Sequence, residues 1–574
     1  MQEHQDDFSM VFEGAAGQGV QTITSLLLPV LRKSGHHVFS CMEYMSRIRG
    51  GSNSTEIRVT GKPRRAYVSR IDLLLSLTPR AYERLHERLH EHTLIFAEEE
   101  KFGEHWDERC IETPLGRFAT EAGGTVYANV SAMGLVLAVL GIPLERCTDY
   151  LRAQFAGKGE EVVERNIRAA QLGYEFGIQL PADRRPKLPE PAHENQRDSL
   201  MMDGTSALGI GAIAAGCNFI CSYPMSPGTG VLTFLAARAK GFGIIVDQAE
   251  DEIAAINAGL GASYAGAKSM VTTSGGGFDL MQEGMSLAGM IETPIVVHIG
   301  QRPGPATGLP TRTEQGDLDL ALHAGHGEFA RAIFAPGTLI EAIETMQRAF
   351  DTAQRYQIPV VVLSDQYLLD AVSTIGADEI KRLPAKLSIV ETGKEYKRYA
   401  FTESRLSPRG VPGYGKGIVR VDSDEHDEEG LITESFEMRR RMMDKRLARL
   451  SALRNEALRP TVIGTPNEAE IIAFCWGSNR GVLEESIERL DDSRVAGLHF
   501  AQLWPLAPDT ATLLGNGRKK IVVIENNAQG QFANLLHRET GIDVSRRILK
   551  ITGEPFSVEE IVEKLTEIAH GQSA

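Results

Sequence analysis

Short apolar runs alternate with longer amphipathic segments over most of this chain. The first run, DFSMVFEG, precedes a glycine-rich turn and a helical pattern, and the same alternation returns in the middle and at the end of the sequence. Alternating strands and helices are typical of α/β folds with a parallel sheet. The middle runs PIVVHIG and PVVVLSD are almost wholly apolar, which indicates a sheet that is buried on both faces.

Changes along the sequence divide this α/β chain into three predicted domains. They are a Rossmann-like domain at 1–182, a middle domain at 199–385 and a smaller domain at 461–574. Residues 183–198 are rich in proline and charge, which indicates a linker. Residues 386–460 combine loop-like sequence, the acidic run SDEHDEEG and a long charged helix, and they are predicted to form a connector over a domain surface.

The composition excludes several functions. The chain has 574 residues, with 61 Lys+Arg against 76 Asp+Glu and a formal net charge of −15. This acidic balance argues against a nucleic-acid-binding protein. No apolar run reaches transmembrane length, and the polar, acidic start does not resemble a secretory signal. The sequence therefore predicts a cytoplasmic protein without a membrane partner.

The 6 cysteines are scattered, and no two of them form a CxxC pair. Structural zinc sites and iron–sulfur clusters normally need several thiolates at short spacing. We therefore expect buried thiols that act as small hydrophobic side chains. Any iron–sulfur cluster that serves this protein should belong to another chain, and no metal ligand is predicted here.

Two segments of the N-terminal domain are candidates for binding an anion. GAAGQG at 14–19 lies between a strand and a helix, where backbone N–H groups and the helix dipole favour negative charge. SRIRGG places Arg47 and Arg49 beside flexible backbone, which would suit a phosphate-bearing ligand. The alternatives are a tight strand-to-helix turn for the first segment and an exposed basic turn for the second.

Three loops of the middle domain each follow an apolar strand. Because ligands bind at the carboxyl ends of parallel strands, we expect YPMSPGT, TTSGGG and RPGPATGLPT to form one ligand-binding mouth. A guanidinium in this mouth could clamp a carboxylate through two parallel hydrogen bonds. The candidate residues of the three loops are Tyr223, Pro224, Ser226, Ser274, Gly275, Arg302 and Thr311.

Three adjacent carboxylates, Glu250, Asp251 and Glu252, precede the small-residue helix IAAINAGLGASYAGA. Negative charge suits the positive end of a helix dipole, and this explanation requires no function. Alternatively, one carboxylate points into a dry interface and exchanges a proton with a bound ring. Burial would raise the pKa of such a group enough for that role.

These segments together resemble a known enzyme family. SYPMSP, EDEIAAINAGLGASYAGAKSMVTTSGGGFDLM, QRPGPATGLPT and EQGDLDLAL are similar to the transketolase-like pyrimidine-binding domain of 2-oxoacid:ferredoxin oxidoreductases. These thiamine-diphosphate enzymes oxidatively decarboxylate 2-oxoacids with coenzyme A. GAAGQGV and SRIRGGSNSTEIRV resemble the family's gamma domain, and ENNAQGQFANLLHRETG resembles its transketolase-C-like C-terminal domain. The layout is most similar to the fused gamma–alpha subunit of members that use 2-oxoglutarate.

The resemblance implies three catalytic residues. Glu252 would hydrogen-bond the aminopyrimidine ring of thiamine diphosphate and favour its imino tautomer. Ser226, where the family usually has threonine, would hydrogen-bond the substrate or an intermediate, and Arg302 would bind the substrate carboxylate. The further implied residues are Tyr223, Pro224, Ser274 and Gly275 for the cofactor, and Thr311 with the weaker candidates His426 and Asp427 for the substrate.

The resemblance also implies that the active site is shared with a second chain. The sequence lacks the GDG…N pattern that anchors Mg²⁺ and diphosphate. In the family this pattern and the cysteine cluster belong to a beta subunit. We therefore expect thiamine diphosphate to be shared with a beta subunit that carries Mg²⁺ and a 4Fe-4S cluster, in an alpha2beta2 assembly. Coenzyme A would be the co-substrate, contacted by Arg47 and Arg49, and ferredoxin would accept the electrons.

The predicted function is oxidative decarboxylation of 2-oxoglutarate to succinyl-CoA, a reaction that could also run in reverse and fix CO₂. The same chemistry on pyruvate or a branched-chain 2-oxoacid is an alternative, because the preference for 2-oxoglutarate rests on domain layout. A non-catalytic nucleotide-binding or scaffolding subunit is an alternative of another class. In that case the glycine loops are simple turns and Glu252 is a surface charge.

Overall fold

The computed structural model divides the chain into two compact units, Met1–Met202 with Ala371–Ala377 and Asp203–Asp370 with Asp378–Ala574. It describes residues 7–45, 51–181, 184–189, 191, 199–514 and 519–571. None of the helices in these ranges is both long and apolar enough to cross a membrane.

The helices and strands follow the predicted alternation. The elements up to the first strand after the linker are β1 (Asp7–Gly14), α1 (Val20–Lys33), β2 (His37–Glu43), β3 (Asn53–Thr60), β4 (Ile71–Ser76), α2 (Pro79–Leu85), β5 (Leu89–Ala97), α3 (Glu99–Phe102), β6 (Cys110–Glu112), α4 (Leu115–Glu121), α5 (Ala128–Val139), α6 (Leu144–Phe155), α7 (Glu160–Gly177) and β7 (Leu200–Asp203). The elements of the middle region are α8 (Gly204–Ala214), β8 (Phe219–Ser222), α9 (Thr229–Ala236), α10 (Ala239–Phe242), β9 (Ile245–Gln248), α11 (Glu252–Tyr264), β10 (Ser269–Thr273), α12 (Gly275–Leu280), α13 (Gln282–Met290), β11 (Ile295–Gln301), α14 (Leu318–His323), β12 (Ala332–Phe334), α15 (Leu339–Tyr356), β13 (Pro359–Asp365), α16 (Gln366–Asp370) and β14 (Val372–Ile375). The last elements are α17 (Phe436–Asn455), β15 (Thr461–Ile463), β16 (Ile471–Trp476), α18 (Asn479–Leu490), β17 (Val495–Phe500), β18 (Gln502–Trp504), β19 (Lys520–Glu525), α19 (Gln531–Thr540), β20 (Arg546–Leu549) and α20 (Val558–Ala569).

The first unit is built on a sheet of mixed direction. Its strand order is β6-β5-β4-β1-β3-β2-β14-β7. Strands β1, β4, β5 and β6 are parallel, whereas β3 is antiparallel to both of its neighbours, so the sheet is not purely parallel. Strand β14 pairs with β2 although its residues fall within the predicted range of the middle domain. Such long-range pairing leaves no local signal in the sequence.

The middle sheet matches the prediction of a sheet buried on both faces. Its order is β18-β12-β13-β11-β10-β8-β9, and all pairings are parallel except that of β18 with β12. Every residue of β10, β11 and β13 is buried. This burial explains why β11 and β13 are nearly continuous runs of apolar residues, whereas β10 is buried although it carries Ser269, Thr272 and Thr273.

The last sheet has the order β15-β17-β16-β19-β20. One apolar core joins it to the middle sheet, since Val271 and Phe278 belong to the same buried cluster as Phe474, Trp476 and Phe532. The fold-class prediction of three α/β domains is confirmed. The two C-terminal domains nevertheless share a core within one compact unit, and the predicted boundaries between domains stay predictions.

The connector helix α17 is more buried than its charged sequence suggests. Lys445 and Arg449 both contact the carboxylate of Glu292, with Lys445 Nζ at 3.0 Å, and all three side chains are at most 2% exposed. Burial alone would raise the pKa of Glu292. The cations Arg449, Lys445 and Arg398 outweigh this effect and hold the pKa well below its usual range.

Replacing Glu292 by glutamine should therefore destabilise the second unit strongly. The change leaves two buried cations without their counter-ion, which typically costs about 3–5 kcal/mol. We expect a clearly lower thermal unfolding temperature for Glu292→Gln. The matched control is Asp509→Asn, because Asp509 pairs with Arg459, which is 72% exposed, and exposed pairs contribute about 0–1 kcal/mol. If Glu292→Gln and Asp509→Asn had the same thermal unfolding temperature, this account of the buried ion pairs would be wrong.

Candidate active site

The three predicted loops lie at one edge of the middle sheet. Strands β8, β10 and β11 are neighbours and run parallel, with Val271 opposite Cys221 and Thr273 opposite Ile299. Their carboxyl ends therefore point the same way, and the segments that follow them start side by side. The three loops therefore start at one edge of the sheet, and their role as a ligand-binding mouth stays a prediction.

A buried chain of hydrogen bonds holds the first loop on the sheet. Thr272 Oγ1 donates to the carbonyl of Gly228 at 3.1 Å. Because this hydroxyl proton is used, His298 Nδ1 must donate to Thr272 Oγ1, at 2.7 Å, and His298 Nε2 accepts from Ser364 Oγ at 2.8 Å. Burial lowers the pKa of His298 to about 3, so the ring is neutral. These hydrogen bonds fix the backbone at Gly228, two residues beyond Ser226.

The three adjacent carboxylates have different surroundings. Glu250 is exposed. Asp251 is the N-cap of α11, and its side chain accepts the backbone N–H of Ala254 at 2.7 Å. Since Asp251 already satisfies the helix end, Glu252 is not required as a cap. Glu252 is instead 2% exposed and turned into the protein.

The Glu252 carboxyl lies against the glycine-rich start of α12. A Cβ added at Gly277 would collide with Glu252 Oε1 and Thr273 Oγ1, so the absence of a side chain there makes room for both groups. Neither atom makes a hydrogen bond of normal geometry within the described residues. Burial raises the pKa of Glu252, more than its backbone N–H and the Thr273 hydroxyl lower it. This carboxyl is therefore suited to hold a proton.

Several buried polar atoms near the Glu252 carboxyl have no hydrogen-bond partner in the part of the chain that the structure describes. Folded proteins contain few such atoms, and each one requires an explanation. Five of those found in the described residues belong to consecutive parts of this sheet edge: Glu252 Oε1, Thr273 Oγ1, Ser274 Oγ, Gln301 Nε2 and Asp317 Oδ2. The set combines carboxyl, hydroxyl and amide groups, so it can both donate to and accept from a heterocyclic ligand.

Arg302 connects the third loop to the first. Its Nη1 donates to the carbonyl oxygen of Ser226 at 2.6 Å. Burial lowers the pKa of Arg302 against the opposing effect of Asp317, and arginine side chains are effectively always protonated. Ser226 is exposed, and Arg302 is half-buried. The pair offers a hydroxyl and a guanidinium to a ligand in the mouth.

The other predicted site residues differ in how far they are exposed to solvent. Tyr223 is exposed, whereas Pro224 and Thr311 are half-buried within their loops. Asp427 Oδ1 accepts the backbone N–H groups of Glu429 and Leu431 at 2.9 and 3.0 Å, so this carboxylate stabilises its own turn. The substrate role of Asp427 stays a prediction.

The weaker candidate His426 packs inside the protein. It is fully buried and stacks on Tyr399 with ring centroids 3.9 Å apart. Its Nδ1 lies 3.0 Å from the carbonyl of Asp424. His426 Nε2 is buried without a hydrogen-bond partner in the described residues, and the substrate role of His426 stays a prediction.

The segment that carries Asp317 is held by the C-terminal sheet. Gln315 Nε2 donates to the carbonyl of Trp476 at 2.9 Å, and Gln315 Oε1 accepts from Asn479 Nδ2 at 3.0 Å and the Asn526 backbone at 3.1 Å. Sequence reasoning used the EQGDLDLAL segment for the resemblance but gave no role to its first aspartate. Gln301 was missed because it is a single polar residue at the end of β11, and Thr273 because it lies in a strand that also carries Thr272 and Ser269.

The glycine-rich loop of the first unit borders a cavity of about 340 Å³. Gly17, Gly19, Glu43, Tyr44 and Asn53 are among its lining residues, and no basic side chain lines it within the described part of the chain. Arg47 and Arg49, predicted to contact coenzyme A, lie outside the described residues.

Comparisons with known proteins show which family this chain belongs to. Residues 210–445 match the family described as pyruvate flavodoxin/ferredoxin oxidoreductase, thiamine diP-binding, and residues 9–176 match pyruvate ferredoxin/flavodoxin oxidoreductase. The 2-oxoacid:ferredoxin oxidoreductase subunit alpha of Sulfolobus sp is 31% identical over 98% of this chain and 96% of its own. The chain belongs to the family of 2-oxoacid:ferredoxin oxidoreductase alpha subunits.

Two further relatives carry names that mention 2-oxoglutarate. The 2-oxoglutarate oxidoreductase subunit KorA of Mycobacterium tuberculosis is 30% identical over 77% of this chain and 68% of its own. The solved 2-oxoglutarate:ferredoxin oxidoreductase from Magnetococcus marinus is 30% identical, has a TM-score of 0.91, and covers 98% of this chain and 99% of its own. The suspected family is thereby confirmed, as is the prediction of an oxidoreductase subunit, and the alpha-subunit names of the relatives imply a partner subunit.

The middle domain is a thiamine-diphosphate-binding domain, and its residues fit the pyrimidine ring of that cofactor. A protonated Glu252 can donate to a ring nitrogen, and its side-chain neighbour at this point is the hydroxyl of Thr273. Ser274 Oγ is buried and has no partner within the described residues. A Cβ at Gly277 would displace the Glu252 carboxyl from this position.

Proposed function

We propose that this chain is the alpha subunit of a 2-oxoglutarate:ferredoxin oxidoreductase, which converts 2-oxoglutarate and coenzyme A to succinyl-CoA and CO₂ and passes the electrons to ferredoxin. The observation that carries the catalytic part is the buried Glu252 carboxyl, which has an unpartnered oxygen and a raised pKa. The substrate is supported by the relative from Magnetococcus marinus, whose structure has 2-oxoglutarate, coenzyme A and succinyl-CoA bound.

Each residue of the mouth has a role in this proposal. Bound thiamine diphosphate supplies the electron sink for decarboxylation. Glu252 holds a proton at Oε1 and shares it with the pyrimidine ring, which keeps the ring in the reactive tautomer. Arg302 binds a carboxylate of the substrate, and the Ser226 hydroxyl, on the loop that Arg302 contacts, hydrogen-bonds the reacting end.

The beta subunit would complete the site. Around Glu252, the edge strand β9 and helices α11 and α12 expose the apolar side chains of Ile245, Ile253 and Leu280, at 64%, 51% and 51%. Exposed apolar residues beside a half-complete site suit burial by a partner. We propose that this partner contributes Mg²⁺ and the 4Fe-4S cluster in an alpha2beta2 assembly. Because ferredoxins are acidic and this chain carries −15, ferredoxin would dock on the beta subunit.

Coenzyme A would be the acyl acceptor, and the N-terminal domain is its proposed contact through Arg47 and Arg49. The net direction of the reaction, oxidation or reductive CO₂ fixation, depends on the potential of the ferredoxin pool. The scaffolding alternative required Glu252 to be a surface charge. At 2% exposure it is not one.

A substrate panel on the assembled enzyme tests this proposal. The chain is produced together with its beta subunit and supplied with thiamine diphosphate, Mg²⁺ and coenzyme A, and reduction of a viologen or ferredoxin is followed. We expect 2-oxoglutarate to have the highest kcat/KM, by about tenfold or more over pyruvate and branched-chain 2-oxoacids, a difference of ~1.4 kcal/mol. The chain alone should be inactive.

Two outcomes would separate the parts of the proposal. If pyruvate or a branched-chain 2-oxoacid is preferred, the substrate assignment falls while the shared mechanism stands. If the assembled complex, with its cluster intact, turns over no 2-oxoacid, the catalytic proposal itself is wrong.

A further inference from the structure

The carboxyl group of Asp317 has no role in the function proposed so far. It precedes α14, and its backbone N–H donates to Gln301 Oε1 at 3.1 Å. Its carboxyl lies where a Cβ on Gly275 would be, so it packs directly against the backbone of the second loop. Asp317 Oδ2 is buried and has no hydrogen-bond partner in the described residues.

Two charged groups act on this carboxyl from the surrounding segments. Arg302, from the loop after β11, attracts its anionic form, and Glu314, three residues earlier in the chain, opposes it. Burial, the largest influence, together with Glu314 outweighs Arg302 and raises the pKa of Asp317 to about 7. The group therefore changes its charge close to neutral pH.

Asp317 is the N-cap residue of α14, but its side chain makes no capping hydrogen bond there. The one polar contact that ties Asp317 to Gln301 is made by its backbone, and asparagine would keep that contact and the shape of the side chain. A buried carboxyl oxygen without a partner costs stability. Groups kept at such a cost beside a ligand site commonly serve the function.

We propose that Asp317 is a positioning residue that couples the binding of the anionic 2-oxoacid at Arg302 to the uptake of one proton. When Asp317 is ionised, its negative charge neutralises the guanidinium and repels the substrate carboxylate. When a proton from solvent neutralises Asp317, the charge of Arg302 is available to the substrate. The inference rests on the proposed role of Arg302 in substrate binding and adds its regulation by pH.

The direction of the pH effect follows from this competition. The carboxylates of a 2-oxoacid are ionised throughout the neutral range, so only the enzyme changes charge. Below pH about 7 Asp317 is neutral and binding is strong, and above it binding weakens. If the substrate binds only the protonated form, kcat/KM falls by up to about tenfold per pH unit. The value of kcat, measured at saturation, should change little because of this group.

The decisive variant is Asp317→Asn in the assembled enzyme, with kcat and kcat/KM for 2-oxoglutarate measured from about pH 6 to 9. Asparagine mimics the neutral carboxyl, so kcat/KM should lose its alkaline decline and exceed the wild-type value by about tenfold one pH unit above the wild-type midpoint. Titration of Glu252 would affect kcat as well, and this substitution would not remove that effect.

A matched control is Asp319→Asn. Asp319 lies in the first turn of the same helix, but the charges that act on it are His323 and Arg538 rather than Arg302. This variant should keep the wild-type pH profile. A third variant, Glu314→Gln, leaves the carboxyl of Asp317 in place and removes the neighbour that raises its pKa. It should shift the decline of kcat/KM to lower pH.

The thermal stability of Asp317→Asn distinguishes a functional role of Asp317 from a purely structural one. The raised folded-state pKa means that folding loses stability between about pH 4 and 7, as the unfolded chain releases the proton that the folded chain retains. Asp317→Asn should therefore unfold at the same or a higher temperature than wild type above pH 7. A purely structural aspartate would lose stability instead.

Several results would overturn the inference. One is an Asp317→Asn enzyme whose kcat/KM declines with pH as in wild type, and another is one that loses kcat with an unchanged pH profile. If that variant does not assemble, an unshifted profile for Glu314→Gln would be equally decisive. Failure of the wild-type complex to turn over any 2-oxoacid would instead overturn the proposed function.

Discussion

Replacing Glu252 by glutamine should lower the turnover of 2-oxoacid by the assembled enzyme by about 10²–10⁴-fold, the usual contribution of a positioned acid–base group. Glutamine keeps the length and shape of the side chain. It cannot hold and return a proton, so the pyrimidine ring loses the group that stabilises its reactive tautomer. The measurement is kcat for ferredoxin or viologen reduction with saturating 2-oxoglutarate, coenzyme A and thiamine diphosphate.

The structure supplies a control two residues away. Glu250→Gln makes the same chemical change at an exposed carboxylate before the same helix and should leave kcat within about twofold, as expected for a surface substitution. Thermal unfolding should show Glu252→Gln to be at least as stable as wild type, because burial disfavours the charged form of the carboxyl and raises its pKa, whereas an amide has no charge to bury. Normal turnover of Glu252→Gln would remove the central argument for the mechanism.

The carboxylates at 250–252 illustrate how much of the candidate site could be predicted from the sequence. The strand endings and the three loops were readable because apolar runs mark buried strands and glycine and proline mark the turns that follow. Which of Glu250, Asp251 and Glu252 faces inward was suggested by family resemblance alone. The structure adds the physical reason: Asp251 caps the helix and leaves the first helical position free to turn into the protein.

Other features depend on contacts between distant segments, which a local pattern cannot reveal. Strand β14 joins the sheet of the first unit across more than 300 residues of sequence. Helix α17 has the sequence of an exposed charged helix, yet its buried Lys445 and Arg449 pair with Glu292, from the turn before β11. Asp317 reads as an ordinary helix-starting aspartate until its neighbours Gly275 and Arg302 are known.

The second large effect is expected at Arg302. Its Nη1 is already committed to the carbonyl of Ser226, so the guanidinium must hold that loop and bind the substrate with its remaining N–H groups. Lysine has the charge but lacks the planar fork that allows both contacts at once. We expect Arg302→Lys to lower kcat/KM for 2-oxoglutarate by about 10–100-fold, equivalent to the loss of one hydrogen bond to a charged group.

Arg302→Ala should lower kcat/KM more than Arg302→Lys does, because alanine removes both the charge and the contact with the Ser226 loop. The loss for Arg302→Ala should appear in KM and kcat together, since the substrate loses its anchor and the loop loses its support. Arg538→Lys, a change at a 48% exposed arginine on α19, serves as the control and should match wild type. If Arg302→Lys retains full kcat/KM, Arg302 does not clamp the substrate, and the proton coupling through Asp317 loses its basis as well.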